Sequence, residues 1–152
     1  MINPAQYKQY FSNLASSHTL LKDFAYGLDE RVINRERSNV AFPLLWAEDP
    51  TINPIWKQGL TLQFRGRLLV LENTPVDDWE KQEQAQDRTW QIAMDILIKM
   101  IEDSETGVFD LSLSSLSIDP VFTYLNDNDI GFEIAFQLES ASAYCVNESV
   151  WQ

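Results

Sequence analysis

The chain has 152 residues, 45% of them hydrophobic and 12% aromatic, with 23 acidic side chains against 11 basic ones and a formal net charge of −12. That length suits one domain spanning 1–152 with a single core, the aromatic content argues against disorder, and the charge opposes binding to nucleic acid or to an anionic membrane surface. Cys145 is the only cysteine, so no intrachain disulfide can form and a reducing compartment is expected.

The first residues show no basic region followed by an apolar run, and no apolar stretch approaches the roughly 20 residues of a membrane span. Asn3-Pro4 is a good helix opening, with Asn as N-cap and Pro at the first helical position. Tyr7, Phe11, Leu14, His18, Leu21 and Phe24 then recur at a spacing of three or four, which predicts an amphipathic helix over 4–24 with Gly27 as its stop. Residues 25–39 are polar and read as a long loop carrying Arg31, Arg35 and Arg37. Val40, Phe42, Leu44 and Trp46 alternate as a first strand, placed at a sheet edge because Pro43 cannot donate to a ladder. The stretch 47–59 is turn-rich, with Pro50 and Pro54.

Leu60, Leu62, Phe64, Leu68 and Val70 put one face of a long strand on the core, with Thr61, Gln63, Arg65 and Arg67 on the other, and Gly66 marks a bulge or bend. Asp77 or Asp78 caps a second helix over 77–103, whose stripe reads Trp79, Trp90, Met94, Leu97, Ile98 and Ile101, widened by Ile92, Ala93, Ile96 and Met100. Thr106-Gly107 ends it. The apolar phase then flips between Leu111/Leu113 and Leu116/Ile118, predicting a bulge near Ser114-Ser115. Asn126 to Asp129 form a turn. In the last strand Ile130, Phe132, Ile134, Phe136 and Leu138 alternate with polar or small residues, so one face is apolar and the other carries Glu133 and Glu139; an irregular tail follows residue 140. The expected fold is α+β: a mainly antiparallel four-stranded sheet with two helices packed on one face, in the order α-β-β-α-β-β.

Chemistry is sparse. His18 is the single histidine and lies on an apolar stripe, where packing explains it better than metal binding. Cys145 has no histidine beside it and reads as an incidental thiol. Asp127 and Asp129 match the start of a calcium loop, but its closing glutamate is missing, since position 138 is Leu. Asp77-Asp78 reads as a cap and Glu102-Asp103 as solvated surface. No Gly-rich phosphate loop is present, and the serines at 112, 114, 115 and 117 lack a nucleophile-elbow motif and read as the exposed face of a strand. No catalytic residue, cofactor or metal site is assigned. An enzyme built on scattered carboxylates is the least favoured reading, and a monomeric or dimeric adaptor without catalysis stands as the alternative to the reading that follows.

Residues 25–50 (AYGLDERVINRERSNVAFPLLWAEDP) and 127–145 (DNDIGFEIAFQLESASAYC) resemble a family of small phage and prophage virion proteins of Bacteroidetes, found among tail and neck genes. Tyr26-Gly27-Leu28-Asp29 and Phe42-Pro43-Leu44-Leu45-Trp46 stand where that family has its aromatic-Gly-Asp element and its Pro-Trp strand. Asp127-Asn128, Gly131, Phe132, Ile134, Phe136, Leu138 and Cys145 fit its C-terminal pattern. Leu28, inserted between Gly27 and Asp29, departs from it. The element order is also similar to tail-terminator and tail-completion proteins. The resemblance implies a virion protein assembled in the bacterial cytoplasm, forming rings, often of six copies, that cap the tail tube and join it to the head-tail connector. It implies subunit contacts through Tyr26, Arg31, Arg35, Arg37, Trp46 and Trp56. Net charge, separately, suggests that Glu133 and Glu139 lie on an acidic surface past which DNA moves without specific binding.

Overall fold

The computed structural model describes residues 2–27, 40–124, 129–141 and 148–151. Its elements are α1 (Pro4–Ser17), β1 (Asp23–Tyr26), β2 (Leu44–Ala47), β3 (Thr51–Trp56), β4 (Leu60–Asn73), α2 (Trp79–Glu105), β5 (Asp110–Leu111), β6 (Ser117–Tyr124) and β7 (Asp129–Ala141), with 3-10 turns at Leu113–Ser115 and Glu148–Val150. The α+β class is as expected, but the sheet is mixed and has seven strands rather than four antiparallel ones.

The sheet is built around β4 and β7, which pair antiparallel without interruption from Thr61↔Ala141 to Asn73↔Asp129. The other edge of β4 is shared: β3 takes its first half and β2 its second. The other edge of β7 is likewise shared by β5 and β6. β1 lies outside β2 and runs parallel to it, which makes the sheet mixed. β2 is therefore interior and β1 forms the margin, so Pro43 marks the approach to a strand and not an edge. Pro54 does sit in an edge strand, since β3 pairs only with β4 among the described residues.

Each misplaced element has a local cause. β1 and β3 are short and carry no clean alternation: Asp23 and Phe24 of β1 fall in the predicted helix and Ala25 and Tyr26 in the predicted loop, while all of β3 falls in the turn-rich stretch. α1 ends at Ser17, where Ser16, Ser17 and Thr19 favour side-chain to backbone bonds over helix. His18 is its extended C-cap, and its ring Nδ1 accepts from the Leu20 amide. Leu21 is buried, but from the connection and not from a helix. The phase flip near Ser114 is a 3-10 turn, with the Ser115 hydroxyl donating to the Ser112 carbonyl at 2.7 Å and accepting from the Gln137 amide at 3.1 Å. Ser112, Ser114 and Ser115 belong to this turn instead of lining a strand face, whereas Ser117 opens β6 and is exposed, as expected.

The capping signals hold. Asn3 accepts from the Gln6 amide at 2.8 Å while Gln6 Oε1 accepts from the Asn3 amide, a closed capping box. Asp78 accepts from the Lys81 amide at the start of α2.

Both helices cover one sheet face. Tyr7, Phe11 and Ala15 of α1 and Ile92, Ala93, Ile96 and Met100 of α2 pack on Leu45, Phe64, Leu68, Val70, Ile134, Phe136 and Leu138. At one end the second face also carries a buried cluster, Ala25, Leu44, Trp46, Leu69, Leu71 and Val121 with Val40 and Phe42 beside it. β2 is thus buried on both faces.

Gly66 is no bulge: the β4–β7 register runs straight through it. A Cβ there would overlap the Tyr7 hydroxyl and the Phe136 ring. The missing side chain lets Tyr7 lie flat on the sheet, stacked on Phe64 at 5.5 Å and on Phe136 at 6.3 Å. At Gly131 the obstacle is the neighbouring strand, because a Cβ would strike the Val70 carbonyl.

Candidate functional site

Three surfaces gather polar side chains. The first is the uncovered part of the sheet's second face, where the outward residues of β4 and β7 meet. Arg67 reaches both Glu133, with its guanidinium nitrogens at 2.8 and 2.6 Å, and Glu48 at 3.2 Å. Lys57 donates to Glu139 at 3.0 Å, and Gln63 donates to the same carboxylate. The Lys57 bond holds the Glu139 carboxyl below its usual range. The strand that reads as acidic in isolation therefore lies beside cations of β4 and of the β3–β4 turn. Glu133 and Glu139 sit on this surface but are charge-compensated, and the bare acidic field that the sequence suggests does not exist around them.

The second lies between the helices. His18 Nε2 and Asp95 Oδ2 are 2.9 Å apart, joining the end of α1 to α2. About two turns further along α2, Asp103 accepts from Tyr10 Oη at 2.8 Å and from Lys99 Nζ at 2.9 Å. Burial and the bond to Asp103 raise the Tyr10 phenol far above its ordinary value, so it stays a donor, and the same aspartate raises Lys99. A cavity of about 370 Å³ lies among these groups, floored by Leu14 and Ile96. Ser17 and His18 both line it, and among the described residues no serine–histidine hydrogen bond is present. The His18–Asp95 and Tyr10–Asp103 bonds cross between the helices and tie α1 to α2, while Lys99–Asp103 lies within α2.

The third is a cleft of about 430 Å³ at the opposite flank of α2. Trp79, Glu83 and Asp87, at positions i, i+4 and i+8, face it with Gln82 and Gln86, and Phe122 of β6 closes the other wall. Trp79 is 80% exposed and Phe122 60%. Further along, Trp90 meets Phe132 edge-on at 5.2 Å. β6 is the outer strand here, and its free edge has no strand partner among the described residues.

No family model, curated protein or solved structure matches this chain. The site must therefore be weighed on its own residues. Among the described residues no group of three or more His, Cys, Asp or Glu side chains is placed to hold a metal ion, and no helix is long and apolar enough to cross a membrane.

The candidate contact residues scatter. Tyr26 is half-buried at the end of β1, with Lys8 Nζ 5.4 Å from its ring centre. Trp46 is fully buried, its indole N–H donating to the Gly27 carbonyl at 3.0 Å, so it organises the core and offers no surface to a neighbour. Trp56 ends β3 and is 80% exposed. Arg31, Arg35 and Arg37 lie outside the described residues, as do Cys145 and the Asp127 turn. The structure brings none of the described ones together. The cleft of Trp79 and Phe122 is not legible in the sequence reading, because Trp79 falls on the apolar stripe of the helix and Phe122 follows no clear alternation. The signal was present: Trp79 shares a helical line with Glu83 and Asp87, an acidic face on which an aromatic has no core to enter.

Proposed function

We propose that this chain is a structural subunit that works by assembling with copies of itself, as a tail-terminator, tail-completion or neck ring of a tailed phage, and that it performs no catalysis. The observation that carries the assembly part is the exposure of Trp56, Trp79 and Phe122. A chain of this size has room in its core for aromatics, and large ones left on the surface beside an unpaired strand edge mark a protein contact. The phage part rests on the resemblance of residues 25–50 and 127–145, and the tail tube, the head-tail connector and passing DNA follow from it as partners. The ion-paired state of Glu133 and Glu139 removes the support that net charge lent to an acidic lumen at those two positions.

Mass in solution, by light scattering on a sizing column across concentration and salt, tests the assembly. A discrete ring-sized species supports it. A chain that stays monomeric or dimeric, alone and with isolated tail tubes, overturns it in favour of an adaptor.

A further inference from the structure

The cleft between α2 and β6 has the chemistry of an arginine site. Its polar wall holds two carboxylates, Glu83 and Asp87, and no cation lines it. Neither carboxylate has a hydrogen bond or ion pair among the described residues, whereas the nearby Arg88 is engaged by Glu72. Gln86, which also lines the cleft, has a buried side-chain oxygen with no hydrogen-bond partner. The apolar walls are the exposed rings of Trp79 and Phe122. A guanidinium answers both the carboxylates and the rings at once: it stacks on aromatic faces and forks onto carboxylates. An ammonium is a compact point charge and meets fewer of them.

We infer that this cleft receives an arginine from residues 31–37 of a neighbouring copy of the chain. The segment RVINRER holds three of the chain's 11 basic residues within seven positions, and the net charge of −12 makes such a cluster the natural complement to an acidic cleft. Position supports the same occupant. The segment leaves the described fold at Gly27 and rejoins it at Val40, beside β1 and β2 at one margin of the sheet. The cleft lies at the other margin, beside β6. One copy's β1 margin set on the next copy's β6 margin is a heterologous contact, which repeats in one direction and closes into a ring when the rotation allows. The inference rests on the assembly reading and supplies its contact.

The test is titration of a synthetic peptide of residues 30–38 (ERVINRERS) into the full-length chain, held dilute in low salt and followed by tryptophan fluorescence and calorimetry. Saturable one-to-one binding is expected. It weakens at least tenfold in the Glu83→Gln/Asp87→Asn chain and several-fold in Trp79→Ala. A peptide with all three arginines changed to lysine binds several-fold more weakly, and one with glutamine in their place does not bind. Absence of saturable binding, or binding indifferent to Glu83→Gln/Asp87→Asn, overturns the site. Native mass spectrometry of the unaltered chain separates this from the assembly reading. A multimer without peptide binding leaves assembly standing with another contact, and peptide binding by a strictly monomeric chain keeps the cleft and removes the ring.

Discussion

Tyr7 concentrates the tension between packing and polarity in this core. Its ring makes three aromatic contacts, but its hydroxyl is buried with no partner, and burial pushes the phenol far above its ordinary value. An orphaned buried hydroxyl costs about 1–3 kcal/mol. Tyr7→Phe keeps the ring and removes the orphan, so it should match the parent or gain up to ~1 kcal/mol in urea unfolding; a loss above that would mean the hydroxyl has a bond the geometry lacks. Gly66→Ala acts from the other side of the same contact. Its methyl needs the space of the Tyr7 hydroxyl and the Phe136 ring in the middle of the paired β4–β7 ladder, and the overpacking should cost about 2–4 kcal/mol. On the surface, the Lys57 bond depresses the Glu139 carboxyl. A lowered folded value means stability present above the ordinary carboxylate range and lost as pH falls through the folded value. Glu139→Gln should therefore flatten the acid limb of stability slightly and change little at neutral pH. The pair is mostly in water, so the effect stays below ~1 kcal/mol and shrinks in high salt.

At the scale of elements, strong local signals were legible and weak ones were not. The two helix starts, the stop at Thr106-Gly107 and the alternation of β7 follow from caps and periodicity. So does the separation of Val40, Phe42, Leu44 and Trp46 onto one side, which became the second buried cluster. The short strands were illegible, because a four-residue strand such as β1 is defined by its partner β2 and not by its own pattern. α2 shows the limit more sharply. Its sequence is apolar around much of its circumference, so periodicity alone could not choose a face. The stripe headed by Trp79 and Trp90 had the larger residues, but the sheet took the narrower set Ala85, Thr89, Ile92, Ala93, Ile96 and Met100. Small side chains at 85, 89 and 93 let the helix lie close over β7 and β4, which a tryptophan on that line would prevent. The phase is testable with two nearby isoleucines: Ile96 is 2% exposed and Ile98 55%. Ile96→Ala should cost about 2–5 kcal/mol, and Ile98→Ala roughly 0.5 kcal/mol or less. Equal losses in denaturant midpoints would mean that the helix sits in the other phase. The cleft was hidden by this same ambiguity, since assigning Trp79 to the core removed it from the surface.

For the whole molecule, charge sets how copies approach one another. A net charge of −12 repels like chains over the Debye length, about 30 Å at 0.01 M salt and about 10 Å at 0.1 M. The contact inferred between the arginine segment and the Glu83/Asp87 cleft is attractive and acts only at close range. The two respond to salt in opposite directions but not at the same concentration. Added salt first screens the long-range repulsion, because widely separated charges are screened soonest. Only at higher salt does it erode ion pairs that sit against aromatic walls and are partly shielded from solvent. Self-association should therefore rise from low salt, pass through a maximum at moderate ionic strength and fall beyond it, as read by sedimentation at fixed protein concentration. Replacing Arg31, Arg35 and Arg37 with alanine makes each chain three units more negative and removes the short-range pairs. That variant should associate more weakly throughout and show only a rise with salt, driven by the remaining apolar surfaces. A parent chain whose association falls monotonically from the lowest salt would mean that attraction already dominates at long range. A variant that keeps the parent's falling limb would place the salt-sensitive contact on other residues.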